Sequence, residues 1–316
     1  MKNKNFYTHL TLPEMYHLDT GDGNELYIEI NGKKDGIPVI FLHGGPGGHC
    51  RSEHHSLFDP SVFKSIIFDQ RGCGKSNPKR NLENNDTKNL VADIEMIRDF
   101  LKIKKFLIVG GSWGATLALC YAQKHPENII GIILRSVFLG TMNEINWAFN
   151  DGPKTFAPDL YEQFISFLDN KDQANPIEAY IRKIHSNDSH LYSWVWHDYE
   201  RILSQINPDS HDFENINEIK KRNGLPNSPL METHYIKNKF FMEEDQIIKN
   251  ANKLQNIPGY IVQGRYDLIC PPVNAYKLKE AWKRSKLKLV NTAGHSSSDH
   301  GIMENLSIAL KEIISN

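Results

Sequence analysis

The sequence has few cysteines and no paired cysteine motif. The four cysteines form no C-x-x-C pair and lie far apart, at Cys50, Cys73, Cys120 and Cys270. Zinc knuckles and disulfide frameworks both need characteristic cysteine spacings, so neither is expected. Free thiols are typical of a reducing compartment, and the sequence has no His/Cys/Asp cluster with metal-ligand spacing. We therefore expect a cytoplasmic protein that binds no metal and needs no other cofactor.

Long apolar runs and an excess of one charge are also missing. No stretch reaches the roughly 18 to 20 consecutive apolar residues of a membrane helix, and the N-terminus lacks the apolar segment of a signal peptide. The 37 Lys and Arg residues nearly balance the 38 Asp and Glu residues, which leaves a net charge of −1. Such a chain has no general attraction for nucleic acid or anionic lipid. We expect neither nucleic acid nor a membrane as a partner.

The residues that are present predict a folded α/β protein. A content of 40% hydrophobic and 24% charged residues is ordinary for a globular protein, and 316 residues can bury a large core. Strand-like segments occur at 25–31, 37–42, 65–69, 105–111 and 128–136. Helical periodicity occurs between them, at 87–103 and 114–124. Strands that alternate with helices form mostly parallel sheets with helical crossovers, so we expect a mostly parallel central sheet with helices on both faces.

The pattern changes in the middle of the chain. From Gly140 to about residue 255 there is no convincing strand, and the helical segments are rich in Trp, Tyr, His and Glu. Strand and helix then alternate again, with segments at 259–267, 273–283, 286–291 and 302–314. We therefore expect a helical cap domain at 140–255, inserted between two parts of one α/β core at 1–139 and 256–316.

A candidate nucleophile lies at the junction of a strand and a helix. The pentapeptide from Gly110 to Gly114 has the form G-x-S-x-G, with an apolar strand before it and a predicted helix after it. In α/β-hydrolases, such a sharp turn holds a serine above the sheet in a strained conformation, and small neighbours leave room for it. A glycine-rich turn with an incidental serine is the alternative. The strand and helix around the motif favour an α/β-hydrolase fold with Ser112 as the nucleophile.

A serine nucleophile needs a base, and the base needs an acid that fixes its tautomer. Asp267 follows the predicted strand at 259–266, and His295 follows the strand at 286–291. Both lie at the carboxyl ends of strands, where open α/β sheets bind ligands, and the order Ser, Asp, His is that of α/β-hydrolases. We expect Asp267 and His295 to complete a catalytic triad, with Asp299 and His300 as reserve candidates.

The tetrahedral intermediate of acyl transfer needs hydrogen-bond donors aimed at its oxyanion. The segment HGGPGG at 43–48 directly follows a predicted strand, and its backbone N–H groups can approach a carbonyl without side-chain interference. We expect the N–H groups of Gly45 and Trp113 to form the oxyanion hole. A phosphate-binding loop is the alternative, but this segment contains no lysine and matches no P-loop or G-x-G-x-x-G pattern.

Several motifs together resemble the prolyl iminopeptidases, and the resemblance extends over nearly the whole chain. They are HGGPGG at 43–48, DQRGCGKS at 69–76, GGSWGATLAL at 110–119, GRYDLICPP at 264–272 and AGHS at 293–296. Members of this family are α/β-hydrolases with a helical cap that release N-terminal proline from peptides. The resemblance implies a serine aminopeptidase whose substrates are small peptides with a free N-terminal proline.

The same resemblance implies residues that bind the substrate. Stretches of the predicted cap are similar to family segments that carry carboxylates for the substrate's amino group, which implies Glu200 and Glu232 as amine ligands. The alternative for both glutamates is an ordinary solvated helix face. Arg135 is similar to a family arginine that could hold a carboxylate, and its alternative is a surface arginine.

Aromatic residues are candidate walls for a proline ring, although such residues in a helical cap are more often packing. We expect Phe138, Trp147 and Tyr199 to contribute, together with the Trp113 ring. Tyr199 replaces a tryptophan of the family pattern, a departure that could shift substrate preference. Cys270 follows Asp267 by three residues, and it is either close to the site or a buried inert thiol.

Fold and triad do not determine the substrate, so other functions remain open. An esterase, a lactonase or a broader aminopeptidase would use the same scaffold and triad. A ligand receptor built on a hydrolase fold is a different class, which an intact triad disfavours. The sequence predicts neither the oligomeric state nor the preferred peptide length.

Overall fold

The computed structural model describes residues 7–9 and 11–315. In this part of the chain, eight strands form one sheet: β1 (Glu14–Asp19), β2 (Glu25–Gly32), β3 (Ile37–Leu42), β4 (Phe63–Phe68), β5 (Phe106–Ser112), β6 (Ile129–Val137), β7 (Gly259–Gly264) and β8 (Ser285–Val290). The order across the sheet is β1-β2-β4-β3-β5-β6-β7-β8. Strand β2 is antiparallel to both β1 and β4, whereas the other neighbouring strands are parallel. The predicted α/β fold with a mostly parallel sheet is confirmed.

Strand β1 is the one strand of the described sheet that the sequence pattern did not reveal. Its sequence, EMYHLD, is mostly polar, and none of its residues is fully buried. It pairs with β2 alone, at the edge of the sheet. Edge strands bury less surface than central strands, so their hydrophobic alternation is weak.

Twelve α-helices are present in the described residues: α1 (Thr87–Phe100), α2 (Trp113–Lys124), α3 (Met142–Asn146), α4 (Gly152–Phe156), α5 (Pro158–Ser166), α6 (Pro176–Ile184), α7 (Ser189–Leu203), α8 (Ile216–Lys221), α9 (Ser228–Lys237), α10 (Gln246–Lys249), α11 (Pro272–Ala281) and α12 (Ile302–Ser315). A π-helical turn, Trp147–Asp151, joins α3 to α4. Short 3₁₀ segments lie at Ser52–Leu57, Pro126–Asn128, Lys239–Phe241 and Ala251–Leu254. Among these helices, none is long and apolar enough to cross a membrane.

The central sheet has helices on both faces because successive side chains of a strand point to opposite sides. Along β5, Phe106 and Ile108 belong to one buried cluster, which includes apolar side chains of α1 and α2. Leu107 and Val109 belong to a second cluster. The second cluster contains the buried side chains of α12: Ile302, Leu306, Ala309, Leu310 and Ile313.

Between β6 and β7, the described chain is helical and encloses an aromatic core. Phe164 of α5 stacks on Tyr199 of α7, with 3.9 Å between ring centroids, and on Tyr180 of α6, with 4.2 Å. Trp196 of α7 stacks on Phe149 of the π-helical turn, at 4.0 Å. The rings fix the position of α7, which carries one of the predicted cap carboxylates.

The topology brings four loops to one edge of the sheet. Strands β3, β5, β7 and β8 are parallel, so their carboxyl ends lie on the same side. These ends lead into the loop at 43–48, Ser112, and the loops that carry Asp267 and His295. The helices between β6 and β7 cover this edge, as the lining of the cavities described below shows.

Candidate active site

Ser112 occupies a strained turn between β5 and α2. Its φ of +56° and ψ of −125° lie outside the regions that non-glycine residues normally adopt. The surrounding glycines make this turn sterically feasible. A side chain at Gly110 would collide with the carbonyl oxygen of Gly114, and one at Gly114 would collide with that of Leu42. The local sequence therefore produces the turn that the G-x-S-x-G pattern predicts.

Asp267 and His295 form a hydrogen-bonded pair. The Nδ1 atom of His295 lies 3.0 Å from Oδ1 and 3.1 Å from Oδ2 of Asp267. The Asp267 carboxylate is buried and accepts N–H bonds from Ile269, at 3.1 Å, and from Cys270, at 2.8 Å. It also accepts from the side chain of Gln263, at 3.1 Å. These donors stabilise the carboxylate charge, which holds the Nδ1–H tautomer of the imidazole and leaves Nε2 available as a base.

The loop around His295 is fixed by several hydrogen bonds. Asp299, a reserve candidate for the acid, accepts the N–H of Gly294 at 2.7 Å and so orders this loop. The N–H of Ser296 donates to the carbonyl of Ser204, directly after α7, with a length of 2.9 Å. His300, the reserve candidate for the base, is exposed at the surface.

Arg135 lies beneath the same loop. Its guanidinium donates to the carbonyl of His295 and, at 3.1 Å, to the hydroxyl of Ser136. A side chain at Gly111 would collide with this guanidinium. Burial lowers the pKa of Arg135, and the charge of Asp267 opposes that effect. Within the described part of the chain no carboxylate forms an ion pair with Arg135, and its visible role is to support the His295 backbone.

The glycine-rich loop at 43–48 passes directly over Ser112. A Cβ placed on Gly44 would lie 3.4 Å from the Cβ of Ser112. Gly45 has a φ of +116°, which glycine adopts without strain, and a side chain there would collide with the backbone of Gly47. Gly45 and Ser112 line the same cavities, and Trp113 is the first residue of α2. The two predicted oxyanion donors therefore belong to backbone segments that meet at Ser112.

Gln70 connects these two segments, a role that the sequence interpretation missed. Its side-chain nitrogen donates to the carbonyl of His43 at 2.9 Å, and its side-chain oxygen accepts from the indole of Trp113 at 2.9 Å. Its backbone N–H donates to Nε2 of His43 at 3.0 Å, which places the imidazole proton on Nδ1, facing the carbonyl of Gly44 at 2.9 Å. Gln70 belongs to the DQRGCGKS motif, and this membership was the signal in the sequence. In the structure its side chain is nearly fully buried.

Glu200 of α7 and Glu232 of α9 lie side by side next to Ser112. All three residues line the same two cavities, and His295 lines one of them. The Oε2 atom of Glu232 accepts the indole N–H of Trp196 at 2.7 Å, whereas its buried Oε1 has no donor. The two glutamates that the resemblance implied are therefore neighbours, although they are 32 positions apart in the chain.

The electrostatics of this carboxylate pair favour a cation. Burial raises the pKa of Glu232 well above its usual range, and the nearby charge of Glu200 raises it further. Burial also raises the pKa of Glu200. Two carboxylates in contact cannot both be ionised cheaply, so they share a proton or bind a positive group. A ligand ammonium between them would satisfy the orphaned Oε1 of Glu232 as well.

The cavity beyond Ser112 is mostly apolar. Phe138 lines it, as does Cys270, whose thiol is buried and has its pKa raised by that burial. Phe149 and Phe240 also line it, and neither was predicted from the sequence. Phe240 reaches the cavity from a left-handed turn at Lys239–Phe241, in which each residue has a φ between +50° and +56°.

Three of the four predicted walls, Tyr199, Trp147 and the Trp113 ring, do not line this cavity. Tyr199 is fully buried in the aromatic core of the cap, where it stacks on Phe164. The indole N–H of Trp147 donates to the carbonyl of Leu268 at 2.9 Å, so this ring braces the loop that follows Asp267. The Trp113 ring is likewise fully buried, and its indole N–H donates to the side-chain oxygen of Gln70. Helical spacing predicted that the Tyr199 ring lies beside Glu200 at the site. Packing against Phe164 instead holds the ring outside the cavity.

Comparison with known proteins places the chain within a fold family. A family model of the alpha/beta hydrolase fold matches residues 37–301. A crystal structure of proline iminopeptidase from Mycobacterium smegmatis is similar with a TM-score of 0.66 and 15% identity, covering 96% of this chain and 98% of that chain. An alpha/beta fold family hydrolase from Bacillus anthracis is similar with a TM-score of 0.63 and 15% identity, over 96% and 99% of the two chains. The predicted α/β-hydrolase fold is confirmed.

Sequence relatives give a narrower assignment. A proline iminopeptidase from Arabidopsis thaliana is 39% identical over 298 residues, which cover 93% of this chain and 78% of that protein. A proline iminopeptidase from Xylella fastidiosa is 38% identical over 293 residues, which cover 90% and 93% of the two chains. Since such identity extends over most of both chains, this protein belongs to the proline iminopeptidase family of α/β-hydrolases.

Proposed function

We propose that this protein is a serine aminopeptidase that releases N-terminal proline from peptides through an acyl-enzyme intermediate. The observation that carries the proposal is the carboxylate pair of half-buried Glu200 and buried Glu232, in the cavities that Ser112 lines. The names of the relatives from Arabidopsis thaliana and Xylella fastidiosa support the same activity.

A carboxylate pair selects substrates by their amino terminus. A protonated proline nitrogen brings one positive charge and two N–H donors to the pair. A blocked terminus or an internal residue brings no charge, so it leaves buried carboxylates unpaired, at a cost of a few kcal/mol. The site therefore penalises endopeptidase action and favours removal of one terminal residue.

The reaction follows from the remaining groups. Ser112 attacks the carbonyl carbon of the N-terminal residue while Nε2 of His295 takes the hydroxyl proton. Asp267 orients the imidazole, and the N–H groups of Gly45 and Trp113 stabilise the oxyanion. The imidazolium then gives its proton to the leaving amine, and the acyl-enzyme remains. Water, activated by His295, hydrolyses the ester and releases proline.

The apolar cavity favours proline at the first position. Phe138, Phe149 and Phe240 surround the space next to the carboxylate pair, which suits the apolar face of a pyrrolidine ring. A long or charged side chain would have to be desolvated there. An esterase or lactonase would share the triad, but it would have no use for a pair of carboxylates beside the nucleophile.

A substrate panel tests this proposal. We expect proline naphthylamide to be hydrolysed with a kcat/KM at least tenfold above those of leucine naphthylamide, N-acetyl-proline naphthylamide and p-nitrophenyl acetate. The Ser112→Ala variant serves as the control for contaminating activity and should be inactive. Faster hydrolysis of the ester or of the blocked substrate would overturn the proposal in favour of an esterase, and equal rates on proline and leucine would favour a broader aminopeptidase.

A further inference from the structure

The opening of the active site is lined by groups of opposite charge. This cavity, of about 280 Å³, is lined by Ser112 and His295 with Glu200 and Glu232 beside them. It is also lined by His197 and Arg201 of α7 and by Ser204, the residue directly after this helix. These three residues lie at spacings of four and three along the helix, so they share one face. A cation, Arg201, therefore faces the same space as the carboxylate pair.

Arg201 has unused donors. Its Nε lies 3.5 Å from Oδ1 of Asp198, a long contact. Asp198 is buried and has a shorter ion pair with Nη1 of Arg222, at 2.8 Å. Neither terminal nitrogen of Arg201 donates a hydrogen bond to any described residue, and the side chain is 38% exposed. Its guanidinium can therefore bind an anionic group without losing a strong hydrogen bond.

The other arginine of this cavity is already engaged. Arg135 donates to the carbonyl of His295 and to the hydroxyl of Ser136. If Arg135 bound a substrate carboxylate, the support of the His295 loop would be weakened. Arg201 is thus the better anion ligand of the two.

The position of the scissile bond limits what anion can reach Arg201. With the substrate amine at the carboxylate pair and its carbonyl at Ser112, the leaving residue extends into this cavity. One residue adds at most about 3.6 Å of chain. In a dipeptide the main-chain carboxylate therefore stays within the cavity, whereas a longer peptide has a neutral amide there.

We propose that Arg201 binds the terminal carboxylate of the leaving amino acid, so that the preferred substrates are dipeptides with proline first and a free carboxylate. This inference rests on the aminopeptidase function proposed above. A guanidinium and a carboxylate form charge-assisted, often bidentate, hydrogen bonds, which a peptide amide cannot match.

Paired substrates test the inference. The kcat/KM values are measured for Pro-Ala, Pro-Ala-amide and Pro-Glu-amide with the wild type, Arg201→Gln and Arg182→Gln. Arg182 is a matched control, since it is a cap arginine paired with Asp172 and lies outside this cavity. We expect the wild type to favour Pro-Ala over Pro-Ala-amide about tenfold. Arg201→Gln should bring this ratio close to one, Arg182→Gln should keep it, and Arg201→Lys should keep part of it.

The outcomes separate this inference from the proposed function. The role of Arg201 is overturned if the wild type hydrolyses Pro-Ala and Pro-Ala-amide with nearly equal kcat/KM, or if Arg201→Gln leaves their ratio unchanged. In either case, hydrolysis of both substrates would still support the proposed aminopeptidase function. The proposed selection of dipeptides with a free terminal carboxylate is overturned if kcat/KM for Pro-Glu-amide is as high as that for Pro-Ala. A side-chain carboxylate would then bind Arg201 as well as the terminal carboxylate does. No hydrolysis of any proline substrate by the wild type overturns both proposals.

Discussion

The indole of Trp113 and the side-chain amide of Gln70 are joined by a hydrogen bond of 2.9 Å. The same amide donates to the carbonyl of His43, so a single side chain connects the glycine-rich loop to the start of α2. The two predicted oxyanion donors, Gly45 and Trp113, sit on these two segments. Their relative position therefore depends on Gln70, a residue that does not line the cavities described above.

Replacing Gln70 by Ala should lower kcat on proline naphthylamide by about 10- to 100-fold, since a displaced oxyanion donor loses much of its effect. KM should change little, because the carboxylate pair and the apolar cavity are untouched. Steady-state kinetics give both constants. Gln123→Ala is the matched control, because that buried glutamine bonds to the carbonyl of Ile247 away from the site. An equal loss of kcat in both variants would mean that Gln70 acts only through general stability.

The carboxylate pair should control recognition of the amine. We expect Glu232→Gln or Glu200→Gln to lower kcat/KM for proline naphthylamide about 100-fold, as expected for one charged hydrogen bond. N-acetyl-proline naphthylamide should be affected much less, since it brings no cation. Glu218→Gln, a change of an exposed cap glutamate, is the control. Equal losses on the free and the blocked substrate would contradict a role in amine binding.

The raised pKa of Glu232 should make stability depend on pH. In the unfolded chain this carboxyl titrates near its ordinary pKa of 4.5, whereas in the folded state burial and Glu200 hold the proton to a much higher pH. The folded state then binds more protons, so stability must fall as pH rises from about 4.5 through the raised pKa. We expect the free energy of unfolding of the wild type, relative to Glu232→Gln, to decrease between pH 5 and pH 8 in urea titrations. A constant or increasing difference would contradict the raised pKa.

Tyr199 provides a test of the packing inside the cap. Its hydroxyl is buried, with no hydrogen-bond partner among the described residues, and the ring is stacked on Phe164. Removing an unpaired buried hydroxyl should stabilise the protein by about 1 kcal/mol in Tyr199→Phe. Tyr180→Phe is the matched change, because the Tyr180 hydroxyl donates to the carbonyl of Phe164 at 2.7 Å and its loss should destabilise by a similar amount. Urea denaturation of the two variants should therefore give opposite signs, and matching signs would contradict this packing.

The features that the sequence could predict are those encoded by short contiguous segments. The three triad candidates lie at or just after the carboxyl ends of strands: Ser112 ends β5, Asp267 follows β7 and His295 follows β8. Because neighbouring strands of this part of the sheet are parallel, these ends lie at the same edge. The fold was predictable for the same reason, since buried strands and amphipathic helices have clear periodicities. Glu200 and Glu232 needed the family resemblance, because periodicity does not reveal that α7 and α9 meet.

The features that could not be predicted depend on contacts between distant segments. Spacing along α7 placed Tyr199 beside Glu200, but the face of a helix that meets a ligand is decided by its neighbours, here Phe164. Phe240 reaches the apolar cavity through a left-handed turn of residues that normally avoid that conformation. Gln70 lay within a recognised motif, yet its two partners are 27 and 43 positions away.

The proposed reaction depends most on Ser112 as the residue that becomes acylated. A fluorophosphonate forms a stable adduct with an activated serine, and mass spectrometry of the digested protein locates it. We expect one adduct, on the peptide that contains Ser112, formed more slowly in the presence of Pro-Ala and absent from the Ser112→Ala variant. An adduct on another residue, or an unlabelled protein that still hydrolyses proline naphthylamide, would contradict the account.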